Sequence, residues 1–264
     1  MGIKYLENKM KNYFFILAIA LAMWLNVSCT KKNSLNPLVT GQVYIHLHTN
    51  IDSLEVDSYN SVLQSTSGRK ISLSLAQMYL SNIQLVRLDG SVYSVSNQVI
   101  LKVFENEAYL VGNVPAGNYK SVRFSVGLSA MENAKTPVAG DTVFCRPEMW
   151  FGNAAQPQGF VFLNVQGKID TTALANGTEN QMVPFAYRIG TAAGIKPVAM
   201  PDQNFSVFPD QIEYVHLVIN YMKIFKGIDL SKAGNLSVQS TTDNSGSVAT
   251  QIVNNIPGMF SYEK

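Results

Sequence analysis

Gly41 to His48 reads GQVYIHLH, and the fold turns on this stretch. In an extended chain Val43, Ile45 and Leu47 point one way, while Tyr44, His46 and His48 point the other. Such alternation belongs to a strand with one face on an apolar core and the opposite face toward solvent or a polar site. A helix would scatter the three aliphatic side chains around its axis. The same alternation sets two imidazoles side by side on the outward face.

Comparable runs follow, separated by turn chemistry. Ile71–Leu75 and Asn82–Leu88 read as two strands. Asp89-Gly90 is a hairpin signal, with Val92–Val95 pairing back. Val99–Val103 is another short strand, and Val114-Pro115-Ala116-Gly117-Asn118-Tyr119 is a turn into Ser121–Val126. Phe160–Val165 (FVFLNV) and Tyr214–Ile219 (YVHLVI) are apolar enough for buried strands. Residues 171–211 read as long loops over one end of the sheets, with Tyr187–Ile189 a possible strand inside them. Residues 236–249 are rich in Ser and Thr and read as mobile. Gln251–Tyr262 regains apolar residues and is expected to dock on the domain. Helical periodicity is scarce. Many short strands punctuated by 18 Gly and 10 Pro argue for a sandwich or a barrel. The expected fold is all-β, an antiparallel β-sandwich with long loops, over residues 41–264 as one domain.

The N-terminal segment differs in kind. Lys4, Lys9 and Lys11 precede an apolar stretch, Tyr13 to Leu25. That is signal-peptide length and short of the roughly 20 residues that span a bilayer. Leu25-Asn26-Val27-Ser28-Cys29 resembles a bacterial lipobox, with Asn26 standing where Leu is usual. Residues 1–28 are therefore expected to be a lipoprotein signal peptide, Cys29 the lipidated first residue, and 29–40 a polar tether. The alternative is an uncleaved helical anchor. Thr30, Lys31 and Lys32 follow Cys29 where an acidic run would mark surface export, so the expected location is the cell envelope, on the outer membrane facing the periplasm.

The leader also skews the charge. The chain has 20 Lys+Arg and 18 Asp+Glu, and the leader removes Lys4, Lys9, Lys11 and Glu7, leaving 17 of each. A mature chain of zero net charge offers no basic field to nucleic acid, which is excluded as the expected partner. Once Cys29 is acylated, Cys145 has no disulfide partner and reads as a buried apolar thiol, a reactive thiol being the alternative. There is no G-x-S-x-G elbow, P-loop, HExxH, CxxC or EF-hand pattern, and an enzyme is not expected.

Three histidines remain as candidate ligands. His46 and His48 share one strand face, and His216 lies in Tyr214–Ile219, able to add a third nitrogen if the two strands are neighbours. Imidazoles suit copper, zinc, iron and nickel. The alternative is ordinary surface histidines without metal. The scattered methionines read as core fillers.

The order of segments resembles the MbnP-like copper-binding family, named for periplasmic proteins associated with methanobactin. Gly41–His48 is similar to its opening strand, and Leu75–Leu85 (LAQMYLSNIQL) to its YYLSNI-x-L segment, the most specific piece. Val114–Leu128 (VPAGNYKSVRFSVGL) resembles VPAGTY-xx-hydrophobic-x-F-x-IGV, followed by Asn133. Met149-Trp150 with Gly159–Gly167 resembles the MYW-x-W…GYIF-x-K-x-EG segment. Phe185–Gly190 resembles a YHIG segment, and Ala249–Phe260 the closing one. The resemblance implies a β-sandwich that binds copper outside the cytoplasm. It implies a Cu(I) site of histidines and a tryptophan oxidised to kynurenine by a diheme peroxidase-like partner. Carried over, His46 or His48 matches a first-strand histidine, and Trp150 lies in the tryptophan segment. Two positions depart: Arg188 replaces the YHIG histidine, and the tryptophan segment is loosened by Gly152–Gln158. The function expected is copper storage, acquisition or redox handling, with His46, His48, His216 and Trp150 as metal residues. The alternative is a structural or ligand-binding envelope lipoprotein without the metal, serving an outer-membrane transporter.

Overall fold

Nine strands carry the fold: β1 (Thr40–Ile51), β2 (Lys70–Arg87), β3 (Ala108–Pro115), β4 (Gly117–Val126), β5 (Trp150–Asn153), β6 (Gln156–Asp170), β7 (Met182–Gly190), β8 (Ile212–Asn220) and β9 (Phe260–Tyr262). The computed structural model describes residues 38–153 and 156–263. The leader, Cys29 and most of the tether lie outside the described residues. Among the described residues no helix is long and apolar enough to cross a membrane.

The strands form two sheets. One runs β9–β8–β1, with β3 and the two-residue strand Leu54–Glu55 sharing the other edge of β1. The second centres on β2, flanked by β4 and β6; β7 pairs on the far side of β6, and β5 pairs with its first residues. The alternation of β1 is realised as the sequence reads. Val43, Ile45 and Leu47 are buried beside Val215, Leu217 and Ile219 of β8, and they meet Ala76, Met78, Leu163 and Val165 from the other sheet. This is one apolar layer between two sheets, the sandwich expected.

Most ladders are antiparallel, but β1 and β8 run parallel, as do β7 and Ser237–Val238. Strands so far apart in the chain have no hairpin between them to impose antiparallel pairing. The two strands expected at 71–75 and 82–88 are one 18-residue strand, β2. Its middle is buried on both faces, which erases the alternation that would have shown continuity. Asn82, at φ 52, marks a register shift against β4.

The loop reading of 171–211 is corrected more heavily. β7 occupies 182–190 and pairs along most of its length with β6, with edge strands at Lys196–Ala199 and Phe205–Val207. Pro184 disguised β7, since proline usually argues against a strand. The stretch 236–249 holds the two-residue strand Ser237–Val238 and a short helical turn, Asp243–Ser245, leading into the helix Ser247–Asn255. Its polar side chains are structural bonds: the Asn244 side chain accepts from Gly190 N and donates to Arg188 O, both at 2.9 Å. The closing segment docks as expected, with Ala249, Ile252, Ile256 and Met259 in the core.

A second apolar cluster lies on the outer face of the second sheet. Tyr79, Phe160, Phe162, Leu101, Leu128, Met149 and Trp150 form it. The segment around Val143 and Glu148 covers it, held by Tyr79 Oη donating to Val143 O at 2.9 Å and Asn164 Nδ2 donating to Glu148 O at 2.7 Å.

Two positions make the fold testable. At Gly167, where β6 slips register against β2, a Cβ would overlap the Ser72 carbonyl oxygen. Gly167→Ala is expected to cost about 1–3 kcal/mol by overpacking, read by urea unfolding. Lys102 is fully buried, its Nζ donating to Val103 O at 2.8 Å. Burial pulls its ammonium down to about 8, against the opposing attraction of Glu107 and Glu105. Between that value and the ordinary 10.5 the unfolded chain holds a proton the folded one has released, so stability rises with pH across this window. Unfolding free energy should gain about 1 kcal/mol from pH 7 to pH 9. Lys102→Met should flatten that rise and raise stability at pH 7.

Candidate metal centre

The in-register parallel pairing of β1 with β8 sets the outward residues in rows: Tyr44 beside Tyr214, His46 beside His216, and His48 beside Val218. His46 and His216 are 170 residues apart in sequence, yet their Nδ1 atoms are 3.1 Å apart. Ring centroids of His46 and His48 lie 4.4 Å apart, edge to face. One ring nitrogen from each of His46, His48 and His216 falls within 4.8 Å of the others. Both strands present these residues outward because their odd-numbered aliphatic partners are claimed by the core.

Three carboxylates frame the imidazoles. Glu107, at the start of β3, is 3.3 Å from His46 Nε2. Glu55, delivered by the tight turn after β1, is 2.8 Å from His48 Nδ1. Glu263, immediately after β9, is 3.1 Å from His216 Nδ1 and 3.5 Å from His48 Nε2. Its backbone N–H donates to His216 O at 3.2 Å, which fixes it alongside. Sequence reading missed all three, because nothing in the spacing of isolated glutamates announces which strand edge they reach.

Electrostatics keep His46 available. Burial, and then the charge that His48 and His216 would carry, hold His46 below its ordinary value, against Glu107 and Glu263. The neutral imidazole with a free lone pair is the form that binds a metal. The His48 Nε2 atom is buried and has no hydrogen-bond partner among the described residues. An orphaned buried nitrogen facing a cluster of other donors is what a metal ligand looks like without its ion. A donor separation also fits. Four-coordinate bonds of about 2.0–2.1 Å place ligand atoms roughly 3.3–3.4 Å apart, beside the 3.1 Å between the Nδ1 atoms of His46 and His216. The residues therefore fit a late transition ion, copper included.

Trp150 is not brought to this cluster. It sits on β5 in the second apolar cluster, its ring 4.1 Å from that of Phe160. That cluster covers the outer face of the second sheet, and the histidines are on the outer face of the first. Arg188, at the position of the family's YHIG histidine, donates to the Trp150 carbonyl oxygen and lies over the Phe151 ring. The thiol and thioethers are elsewhere too. Cys145 is in the segment covering the second sheet, while Met78, Met200 and Met259 fill the core as expected.

Comparison with known proteins agrees with this architecture. No curated protein matches. Among solved structures, MbnP from Methylosinus trichosporium is similar in fold, with a TM-score of 0.53 at 17% identity, covering 76% of this chain and 83% of that one. The family model of MbnP matches residues 40–247, from the first residue of β1 into the closing helix. Spanning most of the sequence, that match establishes that the chain belongs to the MbnP family.

Proposed function

We propose that the protein is a lipid-anchored, extracytoplasmic metal-binding protein whose ion, copper by family association, is held at His46, His48 and His216. It stores, acquires or handles the ion and turns over no substrate. One observation carries the reading: three imidazoles from two distant segments converge within 4.8 Å, with a buried His48 nitrogen left unbonded. Family membership supports it. Glu55 and Glu107 support it further, since carboxylates behind ligating histidines fix the tautomer and strengthen the ligand. Anchoring rests on Cys29, which places the site at the envelope, reached by a diheme peroxidase-like protein or an outer-membrane transporter.

A second reading draws on a different feature. A cleft of about 730 Å³ opens over the β6–β7 ladder, lined in part by Ser72, Gln166, Lys168, Phe185, Ser231 and Gln239. It favours a ligand-binding envelope lipoprotein, and it is separate from the histidines.

Copper titration of the purified protein should show one ion per chain. The His46→Ala/His48→Ala variant should abolish stoichiometric binding, and a wild type that binds nothing would sink the reading. Glu55→Gln should weaken binding roughly tenfold, as loss of an outer-shell carboxylate does. Copper at 100 times its dissociation constant should stabilise the wild type by about 2.7 kcal/mol, and should leave the double variant unmoved. For the anchor, radiolabelled fatty acid should mark the wild type and spare Cys29→Ala. Equal labelling of both would overturn lipidation at Cys29.

A further inference from the structure

We propose that the end of the first sheet where β1 begins docks on the membrane leaflet that carries the protein's own anchor. The inference rests on the lipid-anchored reading above and extends it to the surface that meets the lipid. The outward side chains at this end are apolar. Tyr44 and Tyr214 lie side by side on β1 and β8, ring centroids 5.3 Å apart, and Tyr44 is paired on its other edge with Leu110 of β3. Ile212 precedes Tyr214 by two residues on the same face of β8. Leu110, Ile212 and Tyr214 are 42%, 53% and 45% exposed, and Phe208 and Val39 are more exposed still. Both of the latter are tied to the start of β1. A Cβ on Gly41 would overlap the Phe208 carbonyl oxygen, and Val39 O accepts from Ala116 N at 2.8 Å. Scattered apolar side chains on a surface need no explanation, but a contiguous group of them marks a contact with a partner or a membrane.

The length of the tether selects the occupant. Val39 is ten residues on from Cys29, and ten residues reach at most about 33–36 Å when fully extended. Whatever their path, the lipid stays within that radius of Val39. The opposite end of the fold is much farther from it. β2 has 18 residues, a run of up to about 60 Å. Its last residue, Arg87, pairs with Tyr119 near the corner that joins β3 to β4, and its early residue Ile71 pairs with Ile169 at the end of β6. The exposed Leu174, just past β6, therefore lies at the far end from the patch.

The chemistry of the patch suits a lipid surface. Phe208 and Ile212 are apolar throughout, while tyrosines set a ring at headgroup depth and keep a hydroxyl in water. Asp210 is an exposed acid at the same end, its N–H donating to Thr40 O at 2.9 Å. Anionic lipid does not attract it, so burial of apolar surface drives the contact. The next outward row after Tyr44 and Tyr214 is His46 and His216, and the rings of Tyr214 and His216 are 6.2 Å apart. Docking of this end thus brings the candidate metal centre to the headgroup layer, where an ion arrives along the membrane surface.

The test places the full lipidated protein in vesicles of phosphatidylethanolamine and phosphatidylglycerol. Cys145→Ser removes the other thiol, and nitroxide labels are attached through Phe208→Cys, Ile212→Cys or Leu174→Cys. Oxygen concentrates in the hydrocarbon and a charged nickel chelate is excluded from it, so their collision rates with the label report immersion. Oxygen collisions should dominate at 208 and 212, and nickel collisions at 174. Phe208→Asp/Ile212→Asp should abolish the oxygen preference of a label at Leu110→Cys, with far-ultraviolet circular dichroism checking that the variant folds. Labels at 208 and 212 as open to nickel as the one at 174, in protein that floats with the vesicles, would overturn the inference and leave the anchor standing. Mutual broadening of the labels at 208 would also overturn it, assigning the patch to a second copy of the chain. If the protein does not float with the vesicles, the lipid-anchored reading falls and takes this one with it.

Discussion

Everything at the candidate centre depends on the register of one parallel pair. β1 and β8 are hydrogen-bonded from Gln42↔Ile212 to Asn50↔Asn220, so that each outward side chain of one has an outward neighbour on the other. A slip of one residue would turn His46 and His48 into the core and expel Val43, Ile45 and Leu47. Expelling three such side chains costs about 5–9 kcal/mol, comparable with the whole stability of an ordinary domain. β1 is also paired on its other edge, with β3 and Leu54–Glu55, so its register is set from both sides. The apolar face thereby fixes the position of the polar one. The histidines need contribute nothing to folding to be held in place.

Holding three imidazoles together has an electrostatic cost that the glutamates meet. Two protonated rings about 4 Å apart near a protein surface repel by about 4 kcal/mol. Burial first, and the neighbouring rings second, lower the proton affinity of His46. Glu107, Glu55 and Glu263 each approach a different part of the cluster, and each comes from a segment paired to β1 or β8. Glu107 also attracts the buried Lys102 ammonium, which links the outward site to a charge inside the core. The cluster is a ring of acids around bases, arranged by the sheet that carries both.

How much of this the sequence disclosed follows from where alternation survives. β1 was legible because only one of its faces is buried. β2 and β7 were not. β2 is covered on both sides through its middle, and β7 carries Pro184 within its ladder with β6. The polar run at 236–249 resembled a mobile loop because its Ser, Thr and Asn content is also what helical turns use to bond their own backbone. The histidine pair was visible from its spacing of two. The third histidine depended on the strand order, which no local pattern encodes. The glutamates depended on where short edge strands end, which is harder still. Two of them, Glu55 and Glu263, follow or belong to strands of two and three residues.

The resemblance grouped histidines with a tryptophan, and here the fold separates them. Trp150 pairs across β5 and β6 with Phe160, and by the alternation of β6 that face points away from the core shared with β1. Arg188 sits beside it at the YHIG position, with its guanidinium donating to the Trp150 carbonyl oxygen. A histidine at that position would be shorter and would lack that reach; an arginine there ties the strand of the tryptophan to β7 instead of offering a ligand. The two outer faces thus have different chemistry. One is a half-exposed cluster of nitrogens and carboxylates with an unbonded nitrogen, and the other is an aromatic layer closed by its own covering segment. Among the described residues, each group of three or more candidate ligands within 4.8 Å of one another includes His48, so the outward side of β1, where the alternating stretch began, is where the donors gather.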